Sequence, residues 1–487
     1  MNHRIIISIT GKLIQLVGCL MIFPILIGLF YGEKEFFILA LVAGISIIAG
    51  SFLRGVKVKN ERIRVKEGFV VTALSWFIFS VIGAIPFWAS GTIPSITDAI
   101  FETASGFTTT GASILSNVEE LPRCLLFWRS FTHWIGGMGI LVFMLAIIPL
   151  TGGSNFNLMR AESPGPSVSK LAPKLKSTAQ VLYRIYIVLT VIEFLLLVIF
   201  KMPVFDAVTL TLGTAGTGGF GIRNTSIADY STVCQWIITV FMILFGINFN
   251  AYFFIFMRQF KKIFGMEEIR AYLVVILLST AAISLNILKM CEGIFDAVTK
   301  AAFQVASIIT TTGYSTTDFD LWPTFSKYIL VFLMFMGACA GSTGGGIKIS
   351  RIIVAVKTFL KETGTYIHPK SIRKLQVDKH PLEHDVIRSV NVYLITYIMI
   401  CLASILLLSI EGKDMTTTVT AVFATLNNIG PGLGDVGPMG NFYDFNLLSK
   451  LVMIFDMIAG RLELFPLLIL FHPSVWKALI SQRVRRQ

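Results

Sequence analysis

Two stretches of this chain pair residue types that handle ions. Phe101–Ser113 reads FETASGFTTTGAS and Phe303–Ser315 reads FQVASIITTTGYS; without a gap, Phe, Ala-Ser and Thr-Thr-Thr-Gly coincide. Weaker copies stand at Thr214–Gly221 (TAGTGGFG) and Leu426–Gly434 (LNNIGPGLG). Self-similarity at a long period points to one object with fourfold pseudo-symmetry. The pattern needs no covalent chemistry. Glycine permits backbone angles that turn carbonyls toward an axis, and rings of such carbonyls replace a cation's hydration shell. The four stretches read as an ion filter.

The elements that hold such a filter follow from composition. The chain has 487 residues, of which 54% are hydrophobic and only 14% charged. A soluble protein carries about 25% charged residues, so this is an all-α polytopic membrane protein, and spans are counted rather than domains. Two apolar helices, 13–31 and 36–53, form an N-terminal hairpin around Gly32-Glu33-Lys34. Four units follow, each reading helix, short re-entrant helix, filter, helix. Their full spans fall near 68–90 and 125–150, 181–200 and 233–257, 271–290 and 328–360, and 390–410 and 447–471. That makes ten transmembrane helices and four half-spans. The divisions are 1–60 for the hairpin, then 61–175, 176–265, 266–375 and 376–487 for the repeats. Asp98, Asp206, Asp296 and Asp414 open the half-spans and are expected to cap free N–H groups there. The negative ends of the short helices then face the filter and favour a cation.

The net charge of +13 suggests nucleic acid until its distribution is read. Basic residues cluster in alternate loops: Arg54–Lys66, Arg160–Lys176, Arg258–Lys262, Arg351–Arg388 and Lys477–Arg486. That is the positive-inside pattern, with both termini cytoplasmic and the lipid bilayer, not nucleic acid, as partner. Six scattered cysteines without a CxxC read as packing residues. The first apolar segment lacks a small-residue cleavage site and is expected to be retained.

Other motifs fail on context. Gly216–Gly221 and Gly432–Gly437 fit GxGxxG, but neither follows a strand in a βαβ unit. Gly341-Ser-Thr-Gly344-Gly345-Gly346-Ile-Lys348 has Ile347 where a phosphate loop needs Gly-Lys adjacent. With no catalytic dyad or metal-ligand cluster, the chain is not an enzyme. The glycine run still matters, because each glycine costs a helix about 1 kcal/mol relative to alanine. It reads as a broken helix, either a close-packing kink or a movable loop obstructing the cavity. Lys348 follows, either facing the pore or snorkelling to the cytoplasm. Arg461, inside the final span, either faces the pore, where it lowers cation occupancy below the filter or tethers that loop, or pairs with Glu463. Arg129 is expected to support the filter from outside, and His133 is a packing residue or a proton relay.

The filter loops, the Trp128-Arg129-Ser130…Trp134-Ile-Gly136-Gly137-Met-Gly139 segment, the Gly341–Lys348 loop and Gly460-Arg461-Leu-Glu463 resemble the Trk/Ktr/HKT superfamily of potassium transporters. The hairpin and Met159-Arg160-Ala-Glu162-Ser-Pro164-Gly-Pro166 are most similar to its TrkH branch. The resemblance implies K⁺ uptake across a bacterial inner membrane by a homodimer with one pore per protomer. It implies gating by a cytoplasmic RCK-type, TrkA-like nucleotide-binding ring, with no organic cofactor on this chain. Carried over, the K⁺-binding filter is Thr109, Thr110 and Gly111; Thr217, Gly218 and Gly219; Thr311, Thr312 and Gly313; Asn428, Ile429 and Gly430. Gly432 stays open as the fourth key glycine. The intramembrane gate maps onto Gly337–Lys348, with Gly341, Gly344, Gly345, Gly346, Lys348 and Arg461 as gating residues. In plant relatives a serine at the first key position goes with Na⁺; Gly111 there favours K⁺. The alternative is a Na⁺-permeable or poorly selective relative.

Overall fold

The computed structural model describes residues 3–56, 65–139, 175–369 and 374–473. In lipid every backbone polar group is satisfied internally, so apolar runs become helices. Helices α1 (His3–Leu20) and α2 (Ile22–Tyr31) form one apolar stretch, and Gly32, at φ 70°, turns it into α3 (Phe36–Arg54). Glycines let α1 and α3 touch along their backbones: a Cβ on Gly50 would stand 2.6 Å from the Gln15 nitrogen.

The same order of elements then recurs four times. Long outer helices α4 (Val65–Ala89), α7 (Leu175–Ile199), α12 (Glu267–Ile287) and α16 (His384–Ser409) lead in. Each is followed by a half-helix: α5 (Ile96–Phe107), α8 (Val204–Gly216), α13 (Ile294–Ile309) and α17 (Met415–Leu426). An extended stretch leads on to an inner helix: α6 (Arg123–Gly137), α9 (Thr232–Phe245), α14 (Thr324–Met336) and α18 (Leu447–Arg461). The half-helices are exposed at their first turns and buried toward their C-terminal ends, which lets irregular backbone follow them at membrane depth.

Three inner helices are interrupted. After α9 the chain bends by 91° into α10 (Phe249–Phe256) and continues to α11 (Phe260–Gly265). Helix α14 gives way to a non-helical stretch before α15 (Ile349–Ile367), and α18 breaks before α19 (Phe465–Phe471). Six helices among the described residues are long and apolar enough to cross a membrane, seven with the bent pair. The other expected spans fall on the broken inner helices, or, for 125–150, run beyond the described residues. Met159–Pro166 and the basic residues at 57–64, 160–174 and 477–486 also lie outside them. Strand content among the described residues is one short hairpin, Gln376–Val377 with His380–Pro381.

The expectation that four aspartates cap the half-helices holds for Asp414 alone, which accepts from the Thr417 N–H at 3.0 Å. Ser95, Pro203 and Gly293 take the cap position of the other three. Asp98, Asp206 and Asp296 lie two residues inside, in the first turn, where they still meet the positive helix end. Their side chains reach elsewhere: Asp98 to Lys450 at 2.7 Å, Asp206 to the Tyr230 hydroxyl, and Asp296 to Lys300.

Candidate ion filter and intramembrane loop

All four half-helices end in the same way. The N–H groups of Thr110, Gly218, Thr312 and Ile429 donate to the carbonyls of Ser105, Gly213, Ser307 and Ala424 at 2.8–2.9 Å. The residue before each donates three back, at 2.9–3.2 Å. This is the Schellman closure of a helix end, whose left-handed residue is usually glycine. Here it is Thr109, Thr217, Thr311 and Asn428, with φ between 52° and 58°. A side chain in that conformation costs roughly 1–2 kcal/mol, which points to a use for those side chains. Two residues on, Gly111, Gly219, Gly313 and Gly430 are also left-handed, with φ 80°, 79°, 87° and 100°. Gly432 has no positive φ, so Gly430 is the geometric counterpart of the other three.

Left-handed residues on either side of an ordinary one turn successive carbonyls to one side of the strand. The four strands also close on one another. A Cβ on Gly111 would overlap the carbonyl oxygen of Gly218, one on Gly219 that of Thr312, and one on Gly313 that of Ile429. A Cβ on Gly430 would stand 2.8 Å from the carbonyl oxygen of Thr110. The contacts thus run in chain order and return to the first strand. All four glycines line one cavity of about 210 Å³.

Side chains brace this ring from behind. Thr108 and Thr310 bond the hydroxyls of Thr110 and Thr312 at 2.8 and 2.7 Å. Asn428 donates to the Thr110 hydroxyl at 2.9 Å and to the Met457 carbonyl at 2.8 Å. His133 is fully buried; its Nε2 accepts from the Phe220 N–H, so its Nδ1 donates to the Gly106 carbonyl at 2.9 Å. Both ring nitrogens are used in packing the first two strands. Arg129 lies 3.6 Å over the Phe220 ring. It donates to Glu102 at 2.5 Å, to the Gly221 carbonyl at 2.8 Å and to the Ser113 hydroxyl at 3.0 Å. Those partners belong to the first half-helix and to the exits of two filter strands.

The glycine run forms the non-helical stretch between α14 and α15, with positive φ at Gly337, Gly341, Gly346 and Lys348. It packs directly beneath the third and fourth strands. The Gly345 N–H donates to the Thr311 hydroxyl at 2.6 Å. A Cβ on Gly344 would stand 2.9 Å from the Thr310 carbonyl, and one on Gly345 2.6 Å from that of Asn427. The bend after α9 receives the other side: Cys339 N–H donates to the Gly246 carbonyl, and Phe249 N–H to that of Gly341. Two breaks in membrane helices thus satisfy each other's backbone.

Arg461 reaches this stretch. It donates to the Thr343 carbonyl at 2.8 Å and to the Gly136 and Gly137 carbonyls at 2.5 and 2.7 Å. The Glu463 carboxylate is held by Arg351, at the start of α15. Lys348 is buried and donates to the Gly344 carbonyl, so it neither snorkels nor points free into a pore.

Sequence reasoning missed Glu102 and Glu268. Glu102 also accepts from the Ile114 N–H at 3.0 Å, and Glu268 from the Ala340 N–H at 2.6 Å. The signal for Glu102 was present: a carboxylate within an apolar half-helix, at the position of Gln304 in the third copy.

These features agree with what the chain is similar to. Residues 37–478 match the model of the TrkH family, described as a cation transport protein. A Trk system potassium uptake protein TrkH from Salmonella typhimurium is 34% identical over 98% of this chain and its own whole length. The Vibrio parahaemolyticus TrkH is 35% identical, and Escherichia coli TrkG 31%, each over 98% of the chain. The crystal structure of the potassium transporter TrkH from Vibrio parahaemolyticus superposes with a TM-score of 0.89 at 32% identity. It covers 98% of this chain and 100% of its own.

Proposed function

Since the chain belongs to the TrkH family of cation transport proteins, we propose that it takes up K⁺ across a bacterial inner membrane through a filter built on Gly111, Gly219, Gly313 and Gly430. The observation that carries this reading is the closed ring of left-handed glycines, each seated on the next strand's carbonyl. Thr109, Thr110, Thr217, Gly218, Thr311, Thr312, Asn428 and Ile429 supply the remaining carbonyl and side-chain oxygens. Selectivity follows from how many such oxygens replace water and how strongly they bind.

The Gly337–Lys348 stretch acts as the gate, with Gly341, Gly344, Gly345, Gly346 and Lys348 forming it and Arg461 tying it to α6. What supports this is its position beneath Thr310, Thr311 and Asn427. A cytoplasmic RCK-type ring acts on the basic face, where Lys357 pairs with Glu267 and holds the Gln376 carbonyl at 2.8 Å. The functional unit is a homodimer with both termini cytoplasmic, and its repeats divide at 60, 175, 265 and 375. No enzymatic step or organic cofactor enters.

The test is tracer rubidium uptake into K⁺-loaded proteoliposomes. External K⁺ blocks uptake and Na⁺ does not. Equal block by Na⁺ refutes a K⁺ filter and favours the Na⁺-permeable alternative. Uptake absent even with the cytoplasmic ring added refutes transport.

A further inference from the structure

The left-handed position of each filter strand carries a side-chain oxygen, and the four are not equivalent. The Thr217 hydroxyl donates to the neighbouring Gly216 carbonyl at 2.7 Å. Thr311 accepts from the Gly345 N–H at 2.6 Å. Thr109 Oγ1 and Asn428 Oδ1 are buried and, among the described residues, without a hydrogen-bond partner. Orphaning a buried acceptor costs about 1–3 kcal/mol, so such oxygens point to a ligand. The orientation of Asn428 is fixed by its bonds: Nδ2 donates to the Met457 carbonyl at 2.8 Å, which only accepts. Its Oδ1 lies between α18 and the loop: a Cβ on Gly460 would stand 2.9 Å from it, and one on Gly345 3.3 Å. One loop residue thus meets side-chain oxygens of two adjacent strands.

We infer that Thr311 Oγ1 and Asn428 Oδ1 form an asymmetric innermost cation position, and that K⁺ and the seated loop compete for it. The inference rests on the filter reading above. An amide N–H presents the positive end of its dipole, as a cation does. Held 2.6 Å from the Thr311 hydroxyl, Gly345 occupies the space in which a dehydrated ion would reach that oxygen. Two positive partners on one oxygen repel. K⁺ entering this position therefore unseats the loop, and the seated loop lowers K⁺ affinity there by the same factor. The transported ion is also a gating ligand, acting through a hydroxyl and an amide that the other two strands do not offer to the loop.

The test is hydrogen–deuterium exchange of the 337–348 segment in the full-length protein. K⁺ is titrated against N-methylglucamine at constant ionic strength, and rubidium uptake is measured on the same preparation. A ligand at ten times its dissociation constant shifts a competing equilibrium about elevenfold, so K⁺ speeds exchange by about that factor. T311V removes the acceptor: exchange is fast without K⁺ and no longer responds to it. T343V loosens the loop elsewhere, because the Thr343 hydroxyl donates to the Phe245 carbonyl at 3.2 Å. Its baseline rises but its K⁺ response remains, which a merely structural role for Thr311 does not explain. Exchange independent of K⁺ in the unmodified protein, with K⁺-selective uptake intact, overturns the competition and leaves the filter standing. A K⁺ response surviving in T311V overturns it as well. Loss of K⁺-selective uptake in the unmodified protein overturns the filter reading and this inference together. The titration of the unmodified protein decides the matter even where T311V does not fold.

Discussion

Replacing Gly430 and Gly432 separately with alanine separates ring geometry from crowding. The two positions are matched for space: at each, a Cβ would stand 2.8 Å from its nearest neighbour. They differ in conformation and in what they touch. Gly430 has φ 100° and faces the Thr110 carbonyl oxygen, whereas Gly432 has no positive φ and meets the Thr420 hydroxyl and a Val436 methyl. Alanine at 430 incurs roughly 1–2 kcal/mol of backbone strain. To regain ordinary contact at 3.4 Å, the carbonyl must also retreat by about 0.6 Å. A cost of that size changes the population of the intact ring by a factor of about 5–30. In the rubidium assay, G430A therefore loses K⁺ preference over Na⁺ by at least about fivefold. G432A lowers thermal stability but keeps the preference. The reverse pattern, selectivity lost at 432 and kept at 430, refutes the ring as drawn.

Other outcomes follow from the same contacts. Arg461→Met removes donors to Thr343, Gly136 and Gly137. Taking one charge-assisted bond, about 1.5–3 kcal/mol, as what holds the loop, basal uptake by this chain alone rises on the order of ten- to a hundredfold; unchanged uptake refutes the tether. Deleting 341–346 also raises basal uptake, and a folded, silent product assigns the loop a structural role. Glu102→Gln breaks a buried ion pair with Arg129, costing about 3–5 kcal/mol; a melting temperature equal to that of the parent refutes its bracing role. Hydrogen bonds from the Thr417 hydroxyl and backbone hold the Asp414 carboxylate below its ordinary range. Its stabilisation is present above the unfolded value of about 4 and fades as pH falls through the depressed one. D414N flattens that acid limb in pH-dependent melting, and an unaltered limb counts against the cap.

Much of the site was legible because it is local. The Thr-Thr-Thr-Gly phrases dictate a helix end, a left-handed residue and a glycine within a few positions, and the structure repeats that closure four times. The weak fourth copy became readable only from φ, since Asn428 and Gly430 share angles with Thr109 and Gly111 but not side chains. What sequence could not show was long-range. Arg461 meets carbonyls more than 300 residues earlier, and nothing in its neighbours favours those over Glu463. Likewise, the bend after α9 has no proline. Its freed backbone groups are satisfied by the Gly-rich stretch, so the interruption belongs to the pair and to neither segment alone. The aspartates misled because a carboxylate helps at the third helical position as well as at the cap, and composition does not distinguish the two.

The ring of four strands closes within a single polypeptide. In an assembly of four identical chains, one altered codon would appear in every quadrant, and any off-axis feature would be multiplied by symmetry. Here each quadrant is inherited separately. An asparagine can stand where its three counterparts are threonine, and the Gly337–Lys348 stretch can lean on two walls without a copy leaning on the others. The four walls of such a ring can drift apart, one substitution at a time, toward different tasks.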